Sequence, residues 1–588
     1  MISRLWAAWG STIEFTLVNS LFALSTYAAL AAGILSLAST PIAAVAGYSA
    51  LVMTEDYGIG IEIILLVGCL VGMATAYLFG LLILRLESHW IALATIALVL
   101  IVRVLVLNFV GITGGSQGRR IGQQTTTWHI LVVLLLAAWV FLRHRRSRFG
   151  LAVATVRINI DLAGSLGMNS ARVRMTAFLL SGGIAGVGGA LFANLLQYLG
   201  PDSFYVNLAF IMLASVVLGG AYHWLGAIVG ATVFSLLPEV IKEILPEGER
   251  IALGFALILV MIYLPRGLVE PGRRQRRREE RAQRLDAEQE SRSRNGDETA
   301  VVEREIVKQV TGLPLQSVKW EEQPAAISIR NVSKHYGGVA AVKDLSFEIP
   351  KGSIFGIVGP NGAGKTTILS LVSGLARVDN GTIYINDVDY TSAASHEIAR
   401  AGIGRTFQTI QVVEELTVLE NIMTGFHSTR NSYFFDAIVL SQRDRNERRE
   451  NSERARELME KVGIIGTPDQ FANTLSYANQ RRLEIARALA GNPEILLLDE
   501  PTAGMHKYGT MAIGDLLIEL KERGLTLVVI EHNMELILNY CECAAVMNFG
   551  EILGIGEPRD VMKRPDVIEA YFGNQADADR IESLVKLR

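Results

Sequence analysis

The sequence predicts a multidomain chain, in which an α-helical domain that crosses a membrane several times precedes a water-soluble α/β domain. Two observations support this prediction. The apolar residues crowd into the first 265 of 588 positions, whereas aliphatic runs of strand length beyond them end in glycine-rich or acidic motifs. We therefore expect a transmembrane permease-like domain at 1–265, a charged cytoplasmic linker at 266–325 and an α/β domain at 326–588.

The membrane domain contains eight apolar runs that approach or exceed the length of a membrane span. A helix needs roughly 20 mostly apolar residues to cross a bilayer, and tilted or broken helices can be shorter. Residues 38–52 differ, because Pro41, Gly47 and several small residues suit a re-entrant segment lining a cavity, so the number of crossings stays open. The candidate spans are 11–37, 60–84, 90–110, 128–142, 175–196, 206–221, 224–238 and 250–264.

Arginine-rich loops orient these helices, since such loops favour the cytoplasmic side of a membrane. One arginine cluster lies at 143–148 and a second at 273–281. Four candidate spans separate them, an even number, so both clusters fit on the cytoplasmic side. The α/β domain is then cytoplasmic, whereas Glu55, Asp56 and the loop 111–127 fall outside.

Some charged and glycine-rich features of the membrane domain have two interpretations. Arg103 interrupts an apolar run, where it either contacts substrate or a gate, or pairs inside the bundle or reaches a membrane face. Arg119 and Arg120 lie in the predicted outer loop and run against the orientation rule. The run SGGIAGVGGALF at 181–192 favours close approach of helix backbones, with a flexible gate as the alternative.

Composition argues against several other classes. The net charge of −3 gives no reason to expect a nucleic acid as the main partner. The arginines of the linker directly follow a membrane span, so we expect a solvated, partly helical segment that touches anionic lipid. The three cysteines, Cys69, Cys541 and Cys543, have neither metal-ligand nor disulfide spacing.

The sharpest motif is GPNGAGKT at 359–366, which matches the phosphate-binding pattern GxxxxGK[ST]. A strand-like run precedes it and a helix-like run follows. Backbone N–H groups close around the phosphates, Lys365 reaches the β- and γ-phosphates, and the Thr366 hydroxyl contacts Mg²⁺. The soluble domain is therefore predicted to be an α/β P-loop NTPase that uses ATP and Mg²⁺. The residues predicted to bind nucleotide in this loop are Gly359, Asn361, Gly362, Gly364, Lys365, Thr366 and Thr367.

Two further strands end in residues suited to hydrolysis. Ile495–Leu498 is a buried aliphatic run that ends in Asp499, a predicted magnesium ligand, and Glu500, placed to orient or deprotonate the attacking water. A second run, 525–530, ends in Glu531 and His532, and a histidine there can contact the γ-phosphate.

With these motifs the sequence resembles the ATP-binding-cassette (ABC) family. Tyr336 looks like the aromatic residue on which adenine stacks. Gln408 looks like the glutamine that contacts magnesium and couples the ATPase to the permease, and His532 matches the switch histidine. The resemblance implies that Glu500, His532, Gln408 and Lys365 are catalytic, and that Thr366, Gln408 and Asp499 hold magnesium.

The run LSYANQ at 475–480 resembles the signature motif of the family, and 503–506 the loop that links two ATP sites. In this family Ser476 and Ala478 would complete the ATP site of a partner ATPase. The motif usually has glycine where Ala478 stands and glutamine where Asn479 stands. Because a methyl group crowds the phosphate, we expect the partner's site to be the weaker one.

The resemblance narrows to importers of branched-chain amino acids. Motifs at 405–422, a charged insertion at 427–455 and LSYANQRRLEIARAL at 475–489 are similar to the ATPase subunit of these importers. Independently, 147–169 and TGGSQG at 113–118 look like the permease subunit. The two subunits, usually separate chains, are joined here.

The resemblance implies an ATP-hydrolysing translocase that imports branched-chain or other hydrophobic amino acids across the cytoplasmic membrane. A complete importer has two permease and two ATPase domains and an extracytoplasmic solute-binding protein, so a second permease and ATPase, or a second copy of this chain, is implied. Alternatives are an importer of urea, amides or aromatic acids, an exporter half-transporter working as a homodimer, and a membrane-anchored ATPase that regulates another protein.

One permease segment departs from the family pattern. Residues 157–167 are less charged than the corresponding family segment. We nevertheless expect this segment to form the coupling helix, which docks near Gln408, and the strength of that docking is left open.

Overall fold

A computed structural model describes residues 2–86, 88–145, 147–244, 249–269, 323–428, 442–505 and 507–572. Contacts divide these residues into two units, one formed by the chain up to Ile158 and from Ser170 to 269, the other by Asn159–Asn169 and the chain from 323. The predicted linker from 270 to 322, part of the charged insertion, His506 and the tail from 573 lie outside the described residues. The predicted domain boundaries stay predictions.

The first unit is helical, as predicted. Its longest described helix is α1, Ile2–Ala31, with 30 residues, and the glycine-rich helix α9, Ser170–Leu196, has 27. The helices are α1 Ile2–Ala31, α2 Ser39–Glu55, α3 Ile61–Ile83, α4 Ser88–Asn108, α5 Val110–Thr113, α6 Thr127–Arg145, α7 Arg148–Ile158, α9 Ser170–Leu196, α10 Val206–Gly219, α11 Trp224–Ile244 and α12 Glu249–Tyr263, with α8 Ile160–Ser165 in the other unit.

Six helices within the described ranges are long and apolar enough to cross a membrane, and Val206–Gly219 is a shorter apolar helix. The polytopic membrane domain is therefore confirmed. The expectation of irregular backbone at 38–52 is wrong, because the continuous helix Ser39–Glu55 occupies this stretch. Small residues such as Ala43 and Gly47 let this helix pack closely among its neighbours without breaking it. Pro41 lies in its first turn, where no backbone hydrogen bond is lost.

Glycines let α9 approach α3 and α2 closely. A Cβ atom on Gly186 would lie 2.1 Å from the carbonyl oxygen of Gly68, and one on Gly72 would lie 2.2 Å from that of Gly182. On the other face of α9, a Cβ on Gly189 would lie 2.2 Å from the carbonyl oxygen of Ala43. The backbones are in contact at these points, so the close-packing interpretation of the glycine run accounts for the geometry.

The loops predicted to be outside meet at one end of this unit. Arg119 forms an ion pair with Asp56 at 2.7 Å, and the Gly122 N–H donates to Glu55 at 2.6 Å. Residues 119–120 also pair with the two-residue strand Tyr198–Leu199. Arg119, which ran against the orientation rule, is thus compensated by a carboxylate of the same end.

Arg103 is paired rather than isolated. Its Nε lies 2.9 Å from Asp202 Oδ1, and its guanidinium lies 4.7 Å from the ring centroid of Tyr205. The side chain of Arg103 is 34% exposed and that of Asp202 is 70% exposed, so neither is buried within the protein. The structure therefore gives Arg103 the pairing interaction that was one of its two interpretations.

The second unit has an α/β core formed by a six-stranded and a four-stranded sheet. In the first sheet the order is β12-β11-β5-β10-β9-β8, with all strands parallel except β12; the second is antiparallel, with the order β4-β3-β6-β7. The strands of this unit are β3 Ala325–Tyr336, β4 Val339–Pro350, β5 Ile354–Val358, β6 Asn380–Ile385, β7 Val388–Asp389, β8 Ile403–Arg405, β9 Ile495–Asp499, β10 Thr526–Ile530, β11 Cys543–Asn548 and β12 Glu551–Gly556, with β1 Arg119–Arg120 and β2 Tyr198–Leu199 in the other unit.

Helices cover these sheets. Strands β5, β9 and β10 are buried along their whole length, as expected for parallel strands covered on both faces. Because the carboxyl ends of parallel strands meet at one edge, the segments that follow these strands lie together. The helices are α13 Lys365–Val372, α14 Ser395–Arg400, α15 Val418–Gly425, α16 Gln442–Lys461, α17 Tyr477–Ala490, α18 Lys507–Glu522, α19 Met534–Tyr540, α20 Pro558–Val561 and α21 Pro565–Phe572.

Candidate active site

The glycine-rich loop runs from the end of β5 to the start of α13. Gly362 and Gly364 have φ values of +81° and +98°, which disfavour residues with a side chain. A Cβ on Gly364 would also lie 2.4 Å from the carbonyl oxygen of Ala341. The loop therefore needs glycine for both its conformation and its contacts. Its turn leaves Asn361, Gly362 and Thr366 exposed and Gly359 buried.

Lys365 is buried at the start of α13, with 6% of its surface exposed. Its Nζ donates to the carbonyl oxygens of Gly359 at 2.7 Å and Pro360 at 2.9 Å, so the ammonium is held inside the loop. Burial lowers the pKa of Lys365, while the carboxylates of Glu500 and Asp499 oppose that shift. The lysine thus lies within the electrostatic reach of the predicted catalytic Glu500 and of the predicted magnesium ligand Asp499.

Asp499 ends β9 and is completely buried. Neither carboxylate oxygen has a hydrogen-bond donor in the described residues, and Arg405 lies 3.9 Å from Oδ2. Burial raises the pKa of Asp499 to about 6; Arg405 lowers it, and the neighbouring Glu500 raises it further. A buried carboxylate with unsatisfied oxygens is a fitting ligand for a hard divalent cation such as Mg²⁺. The hydroxyl of exposed Thr366 is a further oxygen atom that suits such a cation.

Glu500 brings two other predicted residues together. Its Oε1 accepts a hydrogen bond from Gln408 Nε2 at 3.0 Å, and His532 Nε2 lies 3.0 Å from the same oxygen. Glu500 has φ +48°, a conformation that few non-glycine residues adopt, and its N–H donates to the carbonyl of Ile530 at 2.9 Å. Strained backbone of this kind is found where a side chain must be aimed. Two side chains from separate loops, those of Gln408 and His532, thus converge on one carboxylate oxygen.

Tyr336 ends β3 and is 50% exposed, as a residue that offers a stacking surface must be. The ammonium of Lys334 lies 5.5 Å from the centroid of this ring. Asp379 fixes the strand end, because it pairs with Lys334 Nζ at 2.7 Å and accepts from the His335 N–H at 2.6 Å. These contacts lower the pKa of Asp379 to about 2, chiefly through the hydrogen bond from Lys334.

The signature residues lie at the N-terminus of α17. Ser476 is the N-cap of this helix and its hydroxyl accepts from Asn479 Nδ2 at 3.1 Å. None of the hydrogen bonds among the described residues joins Ser476 or Ala478 to the loop around Lys365. The signature is thus not brought into this chain's own phosphate loop.

Family models match both halves of the chain. The model described as branched-chain amino acid transport system / permease component matches residues 11–264, and the ABC transporter model matches 342–503. The high-affinity branched-chain amino acid transport ATP-binding protein LivG of Escherichia coli K12 is 35% identical over 248 residues, which are 42% of this chain and 97% of that protein.

The chain belongs to the branched-chain amino acid family of ABC transporters.

Other relatives match the ATPase half of this ABC transporter equally well. BraF of Pseudomonas aeruginosa, another high-affinity branched-chain amino acid transport ATP-binding protein, is 34% identical over 42% of this chain and 97% of its own length. The lipopolysaccharide export system ATP-binding protein LptB of Haemophilus influenzae is 36% identical over 42% of this chain and 98% of its own length. A solved nucleotide-free cassette from an ABC transporter is 32% identical over 43% of this chain and 100% of that chain, with a TM-score of 0.38. The matches to the ABC transporter model and to LivG show that the chain carries an ATPase that couples ATP hydrolysis to transport.

The predicted coupling segment of the ABC transporter packs with the ATPase residues. Helix α8, Ile160–Ser165, contacts α14 and lies beside β8. Asn159 Nδ2 donates to Gln411 Oε1 at 3.4 Å and Asn169 Nδ2 lies 3.0 Å from His396 Nε2. A Cβ on Gly164 would come within 3.2 Å of the Ser395 side chain. Small residues and amide contacts hold this segment, which explains how it docks with few charges.

The roles of two residues of this ABC transporter, Glu531 and Arg405, escaped the sequence analysis. Buried Glu531 accepts from both the N–H and the hydroxyl of Thr502, at 2.8 and 2.7 Å, and so anchors the turn that presents His532. Arg405 donates to Ser373 at 2.5 Å and Ser370 at 3.3 Å, both on or beside α13. For Glu531 the available signal was a charged residue directly after an aliphatic strand, whereas Arg405 ends the short strand Ile403–Arg405, which carries no such signal.

Proposed function

We propose that this chain is one half of an ATP-driven importer of branched-chain or other hydrophobic amino acids, located in the cytoplasmic membrane. The observation that supports this proposal most directly is the match of residues 11–264 to the branched-chain permease model, on the same chain as the ATPase. Similarity of the ATPase to LivG and LptB alone would leave import and export equally supported.

In the proposed site the chain's own residues divide the work. The loop Gly359–Thr367 cradles the phosphates through its N–H groups, and Lys365 contacts the β- and γ-phosphates. Glu500 orients the attacking water and accepts its proton, while Gln408 and His532, each 3.0 Å from its Oε1, hold that carboxylate and the γ-phosphate in place. Tyr336 stacks on the adenine.

Asp499, Thr366 and Gln408 are the proposed holders of Mg²⁺. The unsatisfied, buried oxygens of Asp499 support this assignment. When bound, the ion supplies positive charge that offsets the charge of the phosphates. Arg405, 3.9 Å from Asp499, balances part of the carboxylate charge from the other side.

We propose that a second permease and a second ATPase, or another copy of this chain, complete the transporter, together with an extracytoplasmic solute-binding protein. The position of Ser476 supports this proposal, because its hydroxyl bonds within the signature segment and not with the phosphate loop of its own chain. A partner's nucleotide would then meet Ser476 and Ala478.

An exporter is the second candidate, and the similarity to LptB is the observation that favours it. Fused half-transporters that export solutes have very long helices that reach far into the cytoplasm. The longest apolar spans among the described residues have 27 and 23 residues, enough to cross a bilayer but not to extend far beyond it. Helix length therefore favours the importer.

Gentle extraction of the tagged full chain, followed by mass spectrometry of the proteins that co-purify, tests the proposal. We expect a second permease, a second ATPase and a solute-binding protein whose melting temperature rises with leucine, isoleucine or valine. A homodimer without a binding protein would favour the exporter, and a binding protein stabilised only by urea, amides or aromatic acids would replace the proposed solute.

A further inference from the structure

Three charged side chains of helix α17 are buried side by side. Arg481, Glu484 and Arg487 are exposed by 0%, 1% and 3%, respectively. Arg481 Nη1 lies 2.9 Å from Glu484 Oε2, and Arg487 Nη2 lies 3.7 Å from Glu484 Oε1. Burying charges is costly, and apolar residues of similar volume often stabilise a fold as well or better. The cluster, named here the buried triad, therefore calls for an explanation other than stability.

Arg481 also donates hydrogen bonds to the segment that carries Gln408. Its Nη1 donates to the carbonyl oxygen of Phe407 at 2.5 Å, and its Nη2 to that of Gln408 at 2.8 Å. One planar guanidinium thus holds two successive carbonyl groups, a geometry that a point charge such as lysine does not reproduce. The backbone of Gln408 is fixed on α17 by this fork.

The other two members of the triad hold the far end of the same segment. Glu484 Oε1 accepts from the N–H of Gln411 at 2.8 Å, and Arg487 Nη2 donates to the carbonyl oxygen of Gln411 at 2.6 Å. Both backbone groups of Gln411 are therefore bound by charged partners, which form stronger hydrogen bonds than neutral ones.

The clamped segment 407–411 contacts two places that the transport cycle must connect. Gln408 Nε2 donates to Glu500 at 3.0 Å, and Gln411 Oε1 accepts from Asn159 of the coupling segment at 3.4 Å. The helix that bears the triad begins at Ser476, the residue proposed to serve the partner's ATP site.

We propose that the buried triad is a positioning device that locks segment 407–411 to the signature helix, so that Gln408, Ser476 and the coupling segment shift together. The contacts that support it go to backbone groups of that segment and not to side chains of the core. The triad would thus make the chain's own ATP site respond to the occupancy of the partner's site. This inference rests on the proposed roles of Gln408, Glu500 and Ser476.

The test uses the full transporter reconstituted in nanodiscs, with ATP hydrolysis measured against ATP concentration. Arg481→Met removes the fork but leaves Glu484 and Arg487 as a compensated pair, which favours folding. We expect kcat to fall about 10- to 100-fold, because Gln408 is no longer held against Glu500. The KM for ATP should change by less than about twofold, and the Hill coefficient should fall to about 1.

Arg482→Met is the matched control on the same helix. Arg482 is partly exposed and donates to the carbonyl of Gly463 at 2.7 Å, away from segment 407–411. This variant should keep the kcat and the Hill coefficient of the natural protein. Thermal unfolding of both variants identifies the folded fraction to which the rates are normalised.

Arg481→Lys keeps the positive charge beside Glu484 but not the two-carbonyl fork, and it covers the case in which Arg481→Met fails to fold. We expect a folded protein whose kcat and cooperativity stay low. Natural kcat and cooperativity in Arg481→Lys, or in folded Arg481→Met, would overturn the proposal. Glu500→Gln, measured in parallel, separates failure of this inference from failure of the proposed function. If Glu500→Gln hydrolyses ATP normally, the proposed catalytic site is itself wrong.

Discussion

The two units of this chain differ in what surrounds their buried backbone groups. In the membrane unit, α9 meets α3 through bare glycine backbone, with Gly186 and Gly72 facing carbonyl oxygens. In the ATPase unit, charged side chains are buried instead, and they bind backbone groups, as Arg481 binds the carbonyl of Gln408. The difference teaches that the two units should be sensitive to different changes: the membrane unit to an added methyl group at a helix contact, and the ATPase unit to the loss of a charged or hydrogen-bonding group.

Removing one proton acceptor should have the largest effect. Glu500→Gln preserves the size of the side chain and an oxygen for Gln408, but it cannot accept the proton of the attacking water. We expect ATP hydrolysis to fall by about 10²- to 10³-fold, with nucleotide affinity and melting temperature little changed. Phosphate release measures the hydrolysis rate, binding of a fluorescent ATP analogue measures the nucleotide affinity, and thermal unfolding gives the melting temperature. An unaffected hydrolysis rate would show that catalysis is not concentrated at this carboxylate.

Adding one methyl group in the membrane unit should act on stability instead. A Cβ on Gly186 would lie 2.1 Å from the Gly68 carbonyl oxygen, so Gly186→Ala must push α9 from α3. We expect a loss of about 1–3 kcal/mol in the free energy of unfolding in detergent. Gly254→Ala is the matched control, since nothing lies within 4 Å of its Cβ position. Equal stabilities of the two variants would contradict the backbone-contact account.

Ala478 is the position at which we propose that a partner's nucleotide approaches the signature backbone closely. We expect Ala478→Gly to raise ATP affinity or hydrolysis roughly fivefold, the equivalent of one recovered hydrogen bond to phosphate. Titration of ATP against the hydrolysis rate of the assembled transporter measures this change. If neither quantity changes, Ala478 does not weaken the partner's site.

The smallest effect is expected at the edge of the nucleotide site. Asp379→Asn loses the ion pair with Lys334 beside Tyr336, and we expect ATP affinity to fall about twofold, as for an exposed ion pair. Because the pKa of folded Asp379 is lowered to about 2, its stabilising contribution is present above the unfolded pKa of about 4 and is lost as pH falls toward 2. Acid unfolding of the variant should therefore be less steep over this range; an identical acid transition would contradict the role of this pair.

The sequence predicted the residues that lie in continuous motifs better than those that meet through the fold. Strand β5, the loop to Lys365 and the strand ending at Asp499 were recognised because each is local. The convergence of Gln408 and His532 on Glu500 was implied by family resemblance alone, since their loops are far apart in sequence.

Residues whose side chains bind backbone groups were missed because their partners lie far away in the sequence. Glu531 was visible only as the neighbour of His532, and Arg481 only as one of two consecutive arginines, although Arg481 is buried and Arg482 is not. In the membrane unit, proline and small residues at 38–52 suggested irregular backbone. The structure has a buried helix there, because small residues also suit tight packing.

The central claim is that ATP hydrolysis in this chain drives solute inward. The most direct measurement is uptake of radiolabelled leucine into proteoliposomes that contain the complete transporter, with ATP enclosed and the co-purified binding protein outside. We predict accumulation that requires ATP and is abolished by Glu500→Gln. ATP-dependent movement of a solute out of the vesicles would contradict the account. A rate of ATP hydrolysis that does not change with leucine, isoleucine or valine would contradict it as well.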